Sequence, residues 1–302
     1  MTSSSTTEKT LLDSTVRDRG YAVGEVVAEP RWLLGHLHDP GLRLIEVDVG
    51  PVAYDEGHIE GAVLWNVYQD LKDPGYQLVD KEKTASLAAR SGIGADTTVV
   101  LYGYAPAMGF WLLKLYDHAD VRILDCSREA WQEAGLPWGA TAVTPPPTRY
   151  QLPDQDTRIR AALSTVQDAI QDPGRTIVDV RTESEFRGER FWPSGGQEPG
   201  GRAGHVPSAV SLPIEGLRRE HGAFRDAADL RRALAPVSLS DSGEVITYCT
   251  IGARASTAWF VLTYLLGRRR VRVYDGSWAQ WGLAPGTPVE SGGGGISLQP
   301  TQ

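Results

Sequence analysis

The sequence predicts an α/β fold made of two tandem domains, each a mostly parallel sheet flanked by helices. Three observations carry this reading. The chain repeats its own order of motifs, which marks a duplication. Short apolar, β-branched runs alternate with helical stretches, the pattern of a parallel sheet covered on both faces. A proline-rich stretch separates the two halves and cannot continue a helix or a central strand.

In order along the chain, "LRLIEVDVGPVAYDEGHIEGAVLWNV" at 42–67 gives a strand ending in an acidic residue, a polar helix start, Gly-His-Ile and another apolar strand. The second half answers with "RTIVDVRTESEF" at 175–186, an insertion, and "GHVPSAVSLPIEGL" at 204–217. "TTVVLYG" at 97–103 matches "GEVITYC" at 243–249, and "VRILDCSREAWQEAGLP" at 121–137 matches "VRVYDGSWAQWGLAP" at 271–285. The predicted organisation is a flexible N-terminus at 1–20, a non-catalytic domain at 21–140, a linker at 141–157, a catalytic domain at 158–290 and a flexible tail at 291–302.

A chain of 302 residues is long for one domain and natural for two, and 41% hydrophobic with 23% charged residues is an ordinary globular balance. The formal charge of −8 argues against a nucleic-acid partner, which calls for clustered Lys and Arg. The densest basic run, "GRRRVRV" at 267–273, reads as a solvated turn between a helix and a strand. "MTSSSTTEKT" lacks the apolar core of a secretory signal, and no stretch approaches the roughly 18 apolar residues of a membrane span. Two cysteines, Cys126 and Cys249, are too few for a disulfide scaffold and point to a reducing cytoplasm. The six histidines show no metal-ligand spacing, so neither metal nor cofactor is expected.

The chemistry concentrates in "ITYCTIGARASTAWF" at 246–260. Cys249 ends a strand and opens a loop toward a helix, at the carboxyl end of the sheet where α/β folds place their sites. Loop N–H groups and the positive end of the helix favour thiolate over thiol there. Gly252 opens backbone angles closed to other residues, and Arg254 adds a permanent charge with a planar donor fork. The site is suited to attract an anion and attack it with sulfur. Cys249 aligns with Gly103 in the first half, whose loop "GYAPAMGF" has neither thiol nor arginine.

"CTIGAR" with "ASTAWFVLTYLLG" and "VYDGSWAQWG" resembles the active-site segment of tandem-domain rhodaneses, the thiosulfate and mercaptopyruvate sulfurtransferases. "GRAGHVPSAVSLP" is similar to their Gly-His-Ile-Pro-Gly-Ala signature, and the pattern lies closest to actinobacterial thiosulfate sulfurtransferases. The resemblance covers roughly residues 22 to 290. It implies two rhodanese-like domains and a persulfide on Cys249, loaded by a small anionic donor and discharged to cyanide, a thiol or a sulfur-acceptor protein. The N–H groups of Thr250, Ile251, Gly252, Ala253 and Arg254 would cradle that persulfide. Arg254 would hold the donor's anionic end, with Arg202 as a second anion contact. Asp179 and Arg181 are expected to form a structural pair, and His58 and His205, at one repeat position, to be structural. Thiosulfate members often carry a basic residue directly after the cysteine, where this chain has Thr250. Mercaptopyruvate as donor and a dedicated biosynthetic role therefore stay open, as does a non-catalytic binding module. A phosphatase or arsenate reductase is disfavoured, because Arg254 closes a ring one residue smaller than theirs.

Overall fold

The computed structural model describes residues 2–237, 239 and 242–292. It divides into two units. The first contains residues 1–73, 79–156 and 218–225; the second contains 74–78, 157–217 and 226–302.

The first unit holds β1 (Val27–Ala28), β2 (Leu42–Asp48), β3 (His58–Ile59), β4 (Val63–Asn66), β5 (Thr98–Gly103), β6 (Val121–Leu124) and β7 (Trp138–Gly139). Five of them form a parallel sheet in the order β1-β6-β5-β2-β4, and β3 pairs antiparallel with β7. Its helices are α1 (Thr2–Leu12), α2 (Pro30–His36), α3 (Val52–Glu56), α4 (Lys81–Arg90), α5 (Pro106–Leu115) and α6 (Arg128–Glu133). Local sequence sets their starts. Proline opens α2 and α5, where its missing N–H costs nothing. Asp80 and Ser127 accept backbone N–H groups at the heads of α4 and α6. Nearly every residue of α5 is buried, as its sequence, apolar but for Lys114, requires.

The second unit repeats the arrangement with β8 (Arg160–Ala161), β9 (Arg175–Asp179), β10 (Val210–Ser211), β11 (Glu244–Tyr248) and β12 (Val271–Tyr274). These strands are parallel in the order β10-β9-β11-β12-β8, which is the first sheet's connectivity strand for strand. The helices are α7 (Leu163–Ala169), α8 (Glu183–Phe186), α9 (Ala227–Leu234), α10 (Ala253–Phe260) and α11 (Ser277–Leu283). Three fully buried tryptophans anchor each unit: Trp65, Trp111 and Trp131 in the first, Trp259, Trp278 and Trp281 in the second.

Within the stretch expected as a flexible N-terminus, 1–20, residues 2–12 form α1, Leu11 is buried in the apolar core of the first unit, and the Arg19 guanidinium lies 2.7 Å from the Asp125 carboxylate. These contacts are tertiary, and a short polar sequence at a terminus does not display them. The expected tail at 291–302 lies, from 293 onward, outside the described residues. Of the basic run, residues 267–270 connect a helical segment to β12 and 271–273 belong to that strand, while Arg268 and Arg270 donate to the carbonyls of Gly243 and Ser242. Among the described residues, no helix is long and apolar enough to cross a membrane.

Candidate active site

Cys249 follows the last residue of β11, the middle strand of its sheet, and is 1% exposed. The backbone N–H of Gly252 donates to its Sγ at 3.0 Å. Gly252 has φ of 94° and is the residue from which α10 starts, so one left-handed angle both curls the loop back onto the sulfur and launches the helix. The loop is also fixed from the far side. The Ser277 hydroxyl accepts the Cys249 N–H at 3.1 Å, and the N–H groups of Trp278 and Ala279 donate to the carbonyls of Cys249 and Thr250, each at 2.9 Å. The start of α11 thus engages the Cys249 and Thr250 carbonyls, while the Gly252 N–H faces the sulfur. Ile251 and Ala253 are buried within the loop.

Thr250 and Arg254 turn toward a residue that sequence reasoning missed. Glu185, in the first turn of α8, takes Arg254 Nη1 on Oε2 at 2.9 Å and Arg254 Nη2 on Oε1 at 2.8 Å. The Thr250 hydroxyl donates to the same Oε1 at 2.7 Å and accepts from Arg254 Nη2 at 2.7 Å. The Glu185 side chain is completely buried, and that of Arg254 is 16% exposed. Burial pushes the Glu185 carboxyl up, but the hydrogen bonds and charge of Arg254, the Thr250 hydroxyl and Arg181 outweigh it and hold the group at about 2. A signal for Glu185 existed in the sequence. Thr182-x-x-Glu185 is a capping box, and both of its hydrogen bonds form.

Beneath the loop, Arg181 grips Asp179 through Nε and Nη2 and donates to the Gly204 carbonyl at 2.6 Å. Its guanidinium lies over the Trp278 ring at 4.6 Å. The Tyr248 hydroxyl donates to Asp179 and accepts the Val206 N–H, which ties β11 to the strand entry that follows Gly204. The first half keeps this layout with other residues: the Ile59 N–H donates to Tyr102, and Glu46 lies 3.2 Å from Arg128. His58 and His205 each stack on a ring four or more residues upstream and pair Nδ1 with a backbone carbonyl, of Tyr54 and Phe186 respectively. Both histidines are architectural.

Arg202 is not placed as a second anion contact. Its Nη2 donates to the carbonyls of Trp281 at 3.0 Å and Ala284 at 2.7 Å, Nε to that of Gly282 at 3.3 Å, and Nη1 to that of Thr287. The guanidinium caps the carbonyl end of α11, a favourable place for a cation. The glycine-rich insertion gave no hint of these acceptors, because they lie some eighty residues further on. Cys126 is buried after β6, where burial and the neighbouring Asp125 push its thiol up and away from ionisation. Among the described residues, no group of three His, Cys, Asp or Glu side chains is placed to hold a metal ion.

The model of the rhodanese-like domain matches this chain twice, at residues 29–134 and 162–284. The chain belongs to the rhodanese family. Its relatives include the "Sulfur carrier protein TtuD" of Thermus thermophilus, 39% identical over 90% of this chain and 99% of the relative. Another is a "Putative thiosulfate sulfurtransferase" of Mycolicibacterium smegmatis, 38% identical over 90% of this chain and 99% of the relative. Among solved structures, an anaerobic ergothioneine biosynthesis enzyme from Chlorobium limicola shares the fold, with a TM-score of 0.79 at 23% identity over 91% of this chain and 72% of that one.

Proposed function

We propose that this rhodanese is a sulfurtransferase that carries a sulfane sulfur on Cys249, taking it from an anionic donor, with thiosulfate favoured, and passing it to a thiophilic acceptor. The observation that carries the reading is Cys249 Sγ under the Gly252 N–H at the head of α10. N–H groups at a helix start stabilise negative charge on sulfur, both in the thiolate and in a persulfide one atom longer. In the loading step the thiolate attacks the outer sulfur of thiosulfate. A Cys249 S–S bond forms, the donor's S–S bond breaks, and sulfite leaves with the electron pair. In the discharge step cyanide attacks the outer persulfide sulfur, thiocyanate departs, and the thiolate returns. No proton, oxidant or cofactor enters either step. The names of the relatives support thiosulfate. A second acceptor, a thiol on another protein, is favoured by the relative named a sulfur carrier.

Intact mass after incubation with thiosulfate tests the proposal. The protein is expected to gain one sulfur atom, to lose it to cyanide as thiocyanate, and to gain none when Cys249→Ser is introduced. Sulfur uptake by that variant at the wild-type rate refutes the assignment.

A further inference from the structure

We propose that Glu185 is a positioning residue for donor charge: its buried carboxylate fixes Arg254 beside the loop and cancels the guanidinium's charge, and so lowers the affinity of the site for dianionic sulfane donors more than for monoanionic ones. This rests on the transfer reading above and narrows its donor class.

Alone, Arg254 would give the loop a full positive charge, the feature that suits a dianion. Glu185 removes it. The carboxylate meets the guanidinium edge-on with two parallel hydrogen bonds and is completely buried, so solvent does not screen the pair. It is itself immobile, held by the Thr182 hydroxyl at 2.9 Å and the Thr182 N–H at 3.2 Å. Through Oε1 it also binds the Thr250 hydroxyl, so it touches both the residue after the nucleophile and the last residue of the loop. Within this cluster the second pair, Asp179 with Arg181, is likewise neutral. At the sulfur itself the donor meets the N–H polarity of the helix start, with the Gly252 N–H on Sγ, a dipolar field that holds one negative charge well. A further cation, Arg190, reaches the Thr182 hydroxyl at 3.1 Å on the far side of the carboxylate, but a second charge on the donor still meets Glu185 more unfavourably than a single charge does. Thiosulfate is thus admitted with its affinity held down.

The probes are thiosulfate, a dianion, and methanethiosulfonate, in which a methyl group replaces one charged oxygen while the sulfane sulfur is kept. Each is titrated calorimetrically into Cys249→Ser protein, which lacks the attacking thiolate, with and without Glu185→Gln. Thiosulfate binding is expected to tighten about tenfold on Glu185→Gln, roughly one unpaired charge in a sheltered site, and methanethiosulfonate by less than about threefold. With Cys249 intact, the ratio of kcat/KM for the two donors should move in the same sense, through KM. Equal changes for both donors, or weaker thiosulfate binding by a variant that keeps its folded structure, overturn the proposal. Arg254→Gln supplies an independent arm if the first variant folds poorly. It leaves the carboxylate uncompensated, and is expected to weaken thiosulfate at least about tenfold more than methanethiosulfonate; equal weakening overturns the proposal. Selective binding with no sulfur uptake by wild type from either donor would sustain this inference and remove the transfer reading instead.

Discussion

A guanidinium is informative through what it touches, and the arginines of this chain divide on that basis. Arg202 donates to the carbonyls of Trp281, Gly282, Ala284 and Thr287, so its removal strips donors from the end of α11 and leaves the Thr287 hydroxyl to serve the Trp281 and Ala284 carbonyls. Arg202→Ala is expected to cost about 2 kcal/mol of stability, read as a lower Tm, with kcat/KM for thiosulfate within a factor of about two of wild type. A large loss of donor efficiency at unchanged Tm would return Arg202 to the site. Gly103 poses the opposite question, whether the first half can be given a nucleophile. Its φ is 100°, and a Cβ there would sit 3.0 Å from both Glu46 Cγ and the Val47 carbonyl oxygen. A side chain at this angle costs about 1–2 kcal/mol before the crowding is counted. Gly103→Cys in a Cys249→Ser background is therefore expected to melt earlier and to take up no sulfur from thiosulfate by intact mass. Sulfur found on residue 103 would show that loop still able to activate a thiol.

At the level of elements, α8 is only four residues long yet carries the counter-ion of the active loop. Its Glu185 carboxyl is held at about 2, below the roughly 4.3 of an unfolded chain. A depressed carboxyl contributes stability that is complete above the unfolded value and is lost as pH falls through the folded one. Tm should accordingly drop between about pH 4 and pH 2, and Glu185→Gln should flatten that limb. An unchanged acid limb would mean that Glu185 is not ionised in the folded protein. The same helix shows why the sequence was legible only in part. The strand ending in Asp179, the loop at Cys249 and the turn at Gly252 announce themselves through local pattern: β-branched runs, a glycine, an apolar helix. The pairing of Glu185 with Arg254 spans 69 residues and exists only because β9 lies beside β11. The capping box placed Glu185 at the head of a helix without saying what its carboxylate would meet. Arg254 accordingly reads from sequence as a bare cation, and the fold makes it half of a neutral pair.

At the scale of the whole chain the duplication is nearly literal in sheet order, and it includes an exchange that the sequence conceals. Residues 74–78 belong to the unit that holds Cys249, and residues 218–225 belong to the other unit. The two segments occupy the same place in the repeat, after β4 and after β10, ahead of α4 and α9 respectively. Each delivers a backbone N–H to a buried aspartate at the end of an equivalent strand. Leu78 donates to Asp275 at 2.7 Å, and Phe224 donates to Asp125 at 2.9 Å. An arginine completes each carboxylate, Arg160 for Asp275 and Arg19 for Asp125. The second half alone therefore lacks a piece of its own unit. In residues 157–302 expressed by themselves, Asp275 would lose one of its hydrogen bonds, and the site filled by Leu78, only 4% exposed, would be empty. That fragment is expected to melt well below the full chain and to load sulfur more slowly at 25 °C. In the full chain, Leu78→Ala should reproduce part of the loss, about 2–3 kcal/mol for a buried leucine, without touching Cys249. Chemical denaturation of the three proteins, with intact mass after thiosulfate, decides the matter. A fragment as stable and as quickly loaded as the full chain would show that residues 74–78 rest on the second unit without supporting it.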